Sequence, residues 1–159
     1  MRYKKISDVI EKLIEPSIGF IKKFRKRKSM PFQDIEILLK IFFPKTKEEG
    51  KGFFKRAFII HFNKRKFVLK VGRKRNHIRK DHTTYTSRLP KNKINRYFAK
   101  IYWSHVLFML QKYGKKAKIP KQEIEKLKKL GKKYGLKDIR EANIMKFGKK
   151  FKIVDAERR

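Results

Sequence analysis

An α+β fold is what this sequence predicts, on three observations. Aromatic and β-branched runs come in pairs, as antiparallel hairpins require. A segment opened by Pro120 and followed by Gly135 carries apolar residues at helical spacing. Most strand-like segments fall in the first two-thirds of the chain, apart from the clearest helix.

The elements follow in order. Residues 7–28 read as one or two basic amphipathic helices, with Val9, Ile10, Leu13 and Ile14 on one stripe and a break at Pro16. Such helices pack on a domain, or lie on RNA or a membrane surface. Residues 35–43 fit two patterns. Ile35, Ile37, Leu39 and Ile41 alternate as in a strand, whereas Ile35, Leu38, Leu39 and Phe42 share a helix face. A polar loop is expected over 45–52, containing Gly50-Lys51-Gly52. The clearest hairpin joins 58–62 to 67–71 through Asn63-Lys64-Arg65-Lys66. Residues 73–92 are basic and hydroxyl-rich, with a short helix expected near 77–84. A second strand pair is expected over 97–103 and 106–110. A helix follows over 121–134, with Ile124, Leu127 and Leu130 buried and Gly135 as a left-handed cap. Residues 151–154 form a last strand entering Asp155.

Length and composition bound the function. The 159 residues suit one domain. They hold 14 Phe, 6 Tyr and 1 Trp, enough to build a core, which argues against disorder throughout. Cysteine is absent, so disulfides and thiolate metal sites are excluded. No apolar run approaches the roughly 20 residues of a membrane span. The N-terminus lacks the apolar block of a signal peptide, so a cytoplasmic protein is expected. With 48 Lys+Arg against 14 Asp+Glu, the formal charge is +34. Between Gly50 and Gln122 the single acid is Asp81. A field of that size attracts polyanions whatever the fold, which makes RNA or the ribosome an expected partner.

The most informative pattern lies near the C-terminus. Asp138 and Asn143 are five apart after the helix, and Asp155 follows Asn143 by twelve, at the end of an apolar strand. This resembles the catalytic loop and metal-binding aspartate of the protein-kinase-like superfamily. Upstream residues extend the resemblance. Phe67-Val68-Leu69-Lys70 looks like the third strand, whose Lys contacts nucleotide phosphates. Gly50-Lys51-Gly52 stands where the glycine-rich loop belongs, and residues 106–114 look like the fifth strand and hinge.

The resemblance implies a kinase-like fold, with an antiparallel N-lobe sheet and a severely truncated helical C-lobe. It divides the chain into a basic helical extension (1–45), an N-lobe (46–112) and a minimal C-lobe (113–159). It further implies ATP and Mg²⁺ as cofactors. Gly50, Gly52, Lys70, Gln111 and Tyr113 would bind nucleotide. Asn143 and Asp155 would hold metal as hard oxygen donors. Asp138 would orient an acceptor hydroxyl.

Some positions depart from the family pattern. Lys55 replaces the third glycine, and Leu136-Lys137 precedes the catalytic Asp. Asp81 is the acid available to pair with Lys70 where the family uses a Glu. Asp-Phe-Gly reads Asp155-Ala156-Glu157, with Glu157 as a second metal ligand. No activation segment or Ala-Pro-Glu follows Asp155, which brings the resemblance closer to small RIO-type or lipopolysaccharide-kinase-like proteins. The reading is therefore a phosphotransferase to an unknown hydroxyl. The alternative is a non-catalytic pseudokinase, or a basic protein, bound to RNA or the ribosome.

Other residue types offer less. His77 and His82 do not share a helical face, so zinc is not expected, and His61 and His105 read as structural. The hydroxyls of 83–87 read as a solvated loop.

Overall fold

The computed structural model describes residues 32–51, 55–62, 64–72, 77–78, 89–105 and 107–158. The helices expected over 7–28 lie outside these residues. The architecture is α+β, with a five-stranded antiparallel sheet, two small two-stranded sheets and three helices among the described residues. The chain divides into two compact units, Met1–Arg79 with Ile101–Lys112, and Lys80–Lys100 with Tyr113–Arg159.

The first unit is the five-stranded sheet and one helix. Helix α1, Phe32–Phe42, settles the ambiguity of this segment. Ile35, Leu39 and Phe43, spaced four apart, are buried, while Ile37 and Ile41 are 64% and 68% exposed. An alternating strand would have buried Ile37 and Ile41 with Ile35. Glu36 and Lys40 pair at 3.0 Å across one turn. The helix is stopped before Pro44, where the Thr46 hydroxyl donates to the Phe43 carbonyl at 2.7 Å. Thus α1 and the residue that follows it, assigned above to an N-terminal extension, supply Ile35, Leu39 and Phe43 to the core of the sheet.

Strand β1, Lys47–Lys51, corrects the loop expected here. Its sequence, Lys-Glu-Glu-Gly-Lys, has no strand former. It is an edge strand held by the β2 ladder and by Arg56, whose guanidinium donates to Glu48 at 2.8 Å. Charge on an edge also discourages pairing with other chains. Strand β2, Lys55–Phe62, and β3, Arg65–Gly72, form the expected hairpin in full register. Its connection is tighter than expected, since Phe62 already faces Arg65 and Lys64 adopts φ 62°. Strands β4, Ile101–His105, and β5, Phe108–Lys112, complete a sheet ordered β1-β2-β3-β5-β4. Both begin later than expected, by four and two residues. Phe58, Ile60, Phe67, Leu69, Phe108 and Leu110 meet the α1 stripe on one face of the sheet.

His61, half-buried on β2, is held below its ordinary value of 6.5 by partial burial and then by Lys66, Lys45 and Lys47. The unfolded chain therefore binds this proton more readily than the folded one. That histidine's contribution is intact above 6.5 and is lost as pH falls through 6.5 toward the lower folded value. Denaturant titrations across this window should show His61→Gln flattening the acid-side decline. An unchanged slope would place the effect elsewhere.

Helix α2 of the second unit, Lys91–Tyr97, was not expected, and its last residue stands where a strand was expected to begin. Pro90 starts it, and its carbonyl accepts the Lys93 and Ile94 N–H groups. Beyond it Phe98 and Ala99 are buried, and the Ala99 N–H donates to the Ile153 carbonyl at 2.9 Å. Helix α3, Lys121–Lys133, follows Pro120 with Glu123 in its first turn and Lys132 and Lys133 in its last, matching the helix dipole. Gly135, at φ 66°, turns the chain out of the helix.

Strand β6, Leu136–Lys137, pairs with β9, Glu157–Arg158. Strands β7, Ile144–Phe147, and β8, Lys150–Ile153, form a hairpin closed by Gly148-Lys149, with Gly148 at φ 61°. The sequence reading found only the second of these strands.

Candidate functional site

In the second unit, the segment from Gly131 to Asp155 assembles the three residues of the catalytic-loop resemblance. Gly131 lies on the buried side of α3, and a β-carbon there would collide with the Ile139 side chain. The missing side chain lets Ile139, itself buried, seat against the helix. Beside it, Asp138 leaves β6 in the left-handed region at φ 61°. A non-glycine residue held there carries backbone strain of about 1 kcal/mol or more, tolerated best by Asp and Asn.

Asn143 holds this strained turn. Its side-chain amide donates to the Asp138 carbonyl at 2.8 Å and to the Asp138 carboxylate at 2.9 Å. Its own position is fixed by the short 3₁₀ turn Glu141–Asn143, in which its N–H donates to the Arg140 carbonyl at 2.9 Å. On the other side, the Val154 N–H donates to the Asn143 carbonyl at 2.9 Å. That bond continues the β7–β8 register one step beyond Ile144 opposite Ile153. Asp155 is the next residue. A hairpin thus joins residues twelve apart, and one amide joins the pair to Asp138.

The electrostatics are those of a polar, partly solvated cluster. Asp138, Asn143 and Asp155 are each half-buried. Arg140 reaches the free side of the Asp138 carboxylate, Nε to Oδ1 at 3.0 Å, from an exposed position. Such a pair is weak in energy but fixes the orientation of the carboxylate. With its amide nitrogen turned to Asp138, Asn143 retains an amide oxygen of the hard type that Mg²⁺ prefers, and Asp155 is the first carboxylate that follows it along the chain. Glu157 lies in β9 opposite Lys137.

In the first unit, strand alternation places Lys70 on the sheet face opposite the apolar core. The register aligns Ala57, Lys70 and Met109 in one row and Ile59, Val68 and Gln111 in the next. Lys70 and Gln111 are buried at 6% and 1% exposure among these small and apolar neighbours, and both are engaged in interactions of their own.

Two residues lie elsewhere in the fold than expected. Gly50 lies within β1 opposite Ala57, not in a loop, and a β-carbon there would meet Ala57 at an ordinary 3.8 Å. Gln111 is flanked by Val68 and Ile101, so its main chain belongs to the sheet, and the strand ends before Tyr113. Gly52 and Asp81 lie outside the described residues.

Sequence reasoning missed Arg140 and Gly131. Arg140 gives no periodic signal, since a spacing of two from Asp138 marks no shared helix face. Gly131 was legible in principle, because an isolated glycine inside a helical pattern often marks close packing.

No protein-family model and no curated protein matches this chain.

Proposed function

We propose that this protein is a kinase-like phosphotransferase that moves the terminal phosphoryl group of Mg-ATP to a hydroxyl acceptor. The observation that carries this reading is the double role of Asn143, whose amide holds Asp138 while its carbonyl holds the residue before Asp155. Phosphoryl transfer needs an acceptor-orienting carboxylate and hard oxygen donors for the metal that shields the phosphates. Asp138 takes the first role, and Asn143 and Asp155 the second.

Two further features support it. Lys70 stands on the third strand, and five-stranded antiparallel order surrounds it. In this reading Lys70 neutralises nucleotide phosphates, and Asn143 and Asp155 hold the metal.

The test is calorimetric ATP titration with and without Mg²⁺. Micromolar binding that requires Mg²⁺ is expected in the wild type. Lys70→Ala and Asp155→Ala should each weaken it at least about tenfold, the scale of losing one charge-assisted contact of roughly 1.5–3 kcal/mol. Wild-type protein that binds no ATP would overturn the proposal. Magnesium-independent binding insensitive to Asp155→Ala would favour the non-catalytic alternative.

A further inference from the structure

A second site lies in the second unit, at the end of β8 away from Asp155. Helices α2 and α3 and the β7–β8 turn flank a half-open cavity of about 550 Å³. Its size is within the range of ordinary small-ligand pockets, roughly 300–1,000 Å³. Leu127 and Phe151 contribute apolar surface, and Leu127 is only 1% exposed. Arg96, Lys126, Lys149 and Lys150 contribute four cations against the single acid Glu123. Glu123 reaches Lys126 only at 3.9 Å, with both side chains well exposed, so it neutralises little.

The chemistry of the wall is divided. The Arg96 guanidinium lies over the Tyr97 ring at 5.3 Å from its centroid, and both residues line the cavity. Guanidinium planes and tyrosine rings are the surfaces on which unpaired bases stack. Asn92 and Asn95 add amides able to donate and accept at a base edge. An inorganic anion or an acidic peptide would use the cations but leave the aromatic and apolar surface unused. A nucleotide unit uses both. A base stacked within a duplex cannot enter a cavity, whereas a single strand can splay one in and run its flanking phosphates over the surrounding lysines.

We propose that this cavity binds one nucleotide of single-stranded RNA, with the base against Tyr97 and Arg96 and the phosphates on Lys126, Lys149 and Lys150. The site is independent of the phosphotransfer reading, since it shares no residue with it.

The experiment is fluorescence anisotropy of a fluorescein-labelled single-stranded oligouridylate on the full chain, repeated over a salt series. Because the charge of +34 binds RNA unspecifically, equal charge changes are compared. Arg96→Ala/Lys126→Ala should weaken binding about tenfold and flatten the salt slope by about 0.7, the value for the one single-strand phosphate contact at Lys126. Lys128→Ala/Lys132→Ala, on the other side of α3, should weaken it less than about threefold, as loss of long-range field alone would. Tyr97→Leu, which keeps apolar volume but removes the ring, should weaken binding about tenfold with the slope unchanged. Equal losses in the two double variants would overturn the proposal. So would double-stranded RNA binding as tightly as single-stranded, or free AMP displacing the oligonucleotide at equal nucleotide concentration.

Discussion

Asn143→Ala should lower phosphate transfer by roughly 10²–10⁴, the range for losing a positioned catalytic group, while leaving the protein folded. Two effects combine in that loss. Under the proposed function the alanine removes an oxygen donor for the metal, and it releases the Asp138 turn, whose carbonyl and carboxylate both accept from the amide. Stability should fall by only about 1–3 kcal/mol, because the Asp138 groups are partly solvated and recover water.

Asn143→Asp separates the two effects. It keeps a hard oxygen for Mg²⁺ but sets a second carboxylate where the amide lay 2.9 Å from Asp138. Two carboxylates at that distance do not both ionise without penalty, so one takes up a proton more readily than in the unfolded chain. The folded variant then binds more protons than the unfolded one, and its stability rises as pH falls through the carboxylate range. Metal-dependent ATP binding should survive in Asn143→Asp while transfer does not. An Asn143→Ala protein that transfers phosphate at the wild-type rate would remove the Asp138–Asn143–Asp155 cluster from the chemistry.

The elements legible in the sequence are those whose signal lies in their own residues. Strands β2 and β3 carry aromatic and β-branched runs on both sides of a turn, and α3 carries its start, stripe and stop. Strand β1 carries none of these. Lys-Glu-Glu-Gly-Lys is a strand because β2 offers it a ladder, which is a tertiary fact. Helix α2 has no buried residue and no apolar stripe, so nothing in its own residues marked it as a helix, and the expected strand began at its last residue, Tyr97. At the candidate site, the resemblance of their spacing to a kinase-like catalytic loop picked out Asp138, Asn143 and Asp155. The left-handed turn at Asp138, its contact with Arg140 and the seat for Ile139 at Gly131 are long-range or conformational features. No residue pattern within a window of a few positions encodes them.

Phe67→Ala should produce the largest loss of stability, about 3–5 kcal/mol, as expected for truncating a buried ring. Phe67 is 1% exposed at the centre of the first unit's core. Its ring meets Tyr102 edge-on at 5.8 Å, and the Arg65 guanidinium covers it at 5.3 Å. Removing the ring forfeits its own burial and leaves a cavity walled by β3 and its partners, which a pleated sheet cannot close. At roughly 2–4 °C per kcal/mol for a chain of this size, the melting temperature should fall by about 10 °C. Ile41→Ala supplies the contrast, since a side chain 68% exposed on α1 should change stability by less than about 0.5 kcal/mol. The pair also tests the helical reading of residues 35–43, because a strand there would bury Ile41 as deeply as Leu39. Lys70 lies three residues beyond Phe67 on the opposite face of β3, so the Phe67→Ala cavity leaves its immediate row of Ala57 and Met109 unchanged. Hydrogen exchange should therefore speed up across the β2 and β3 amides while ATP affinity, measured well below the new melting temperature, stays within about threefold of wild type. A loss of affinity as large as that of Lys70→Ala would mean that the position of the lysine depends on the whole core and not on the strand that carries it.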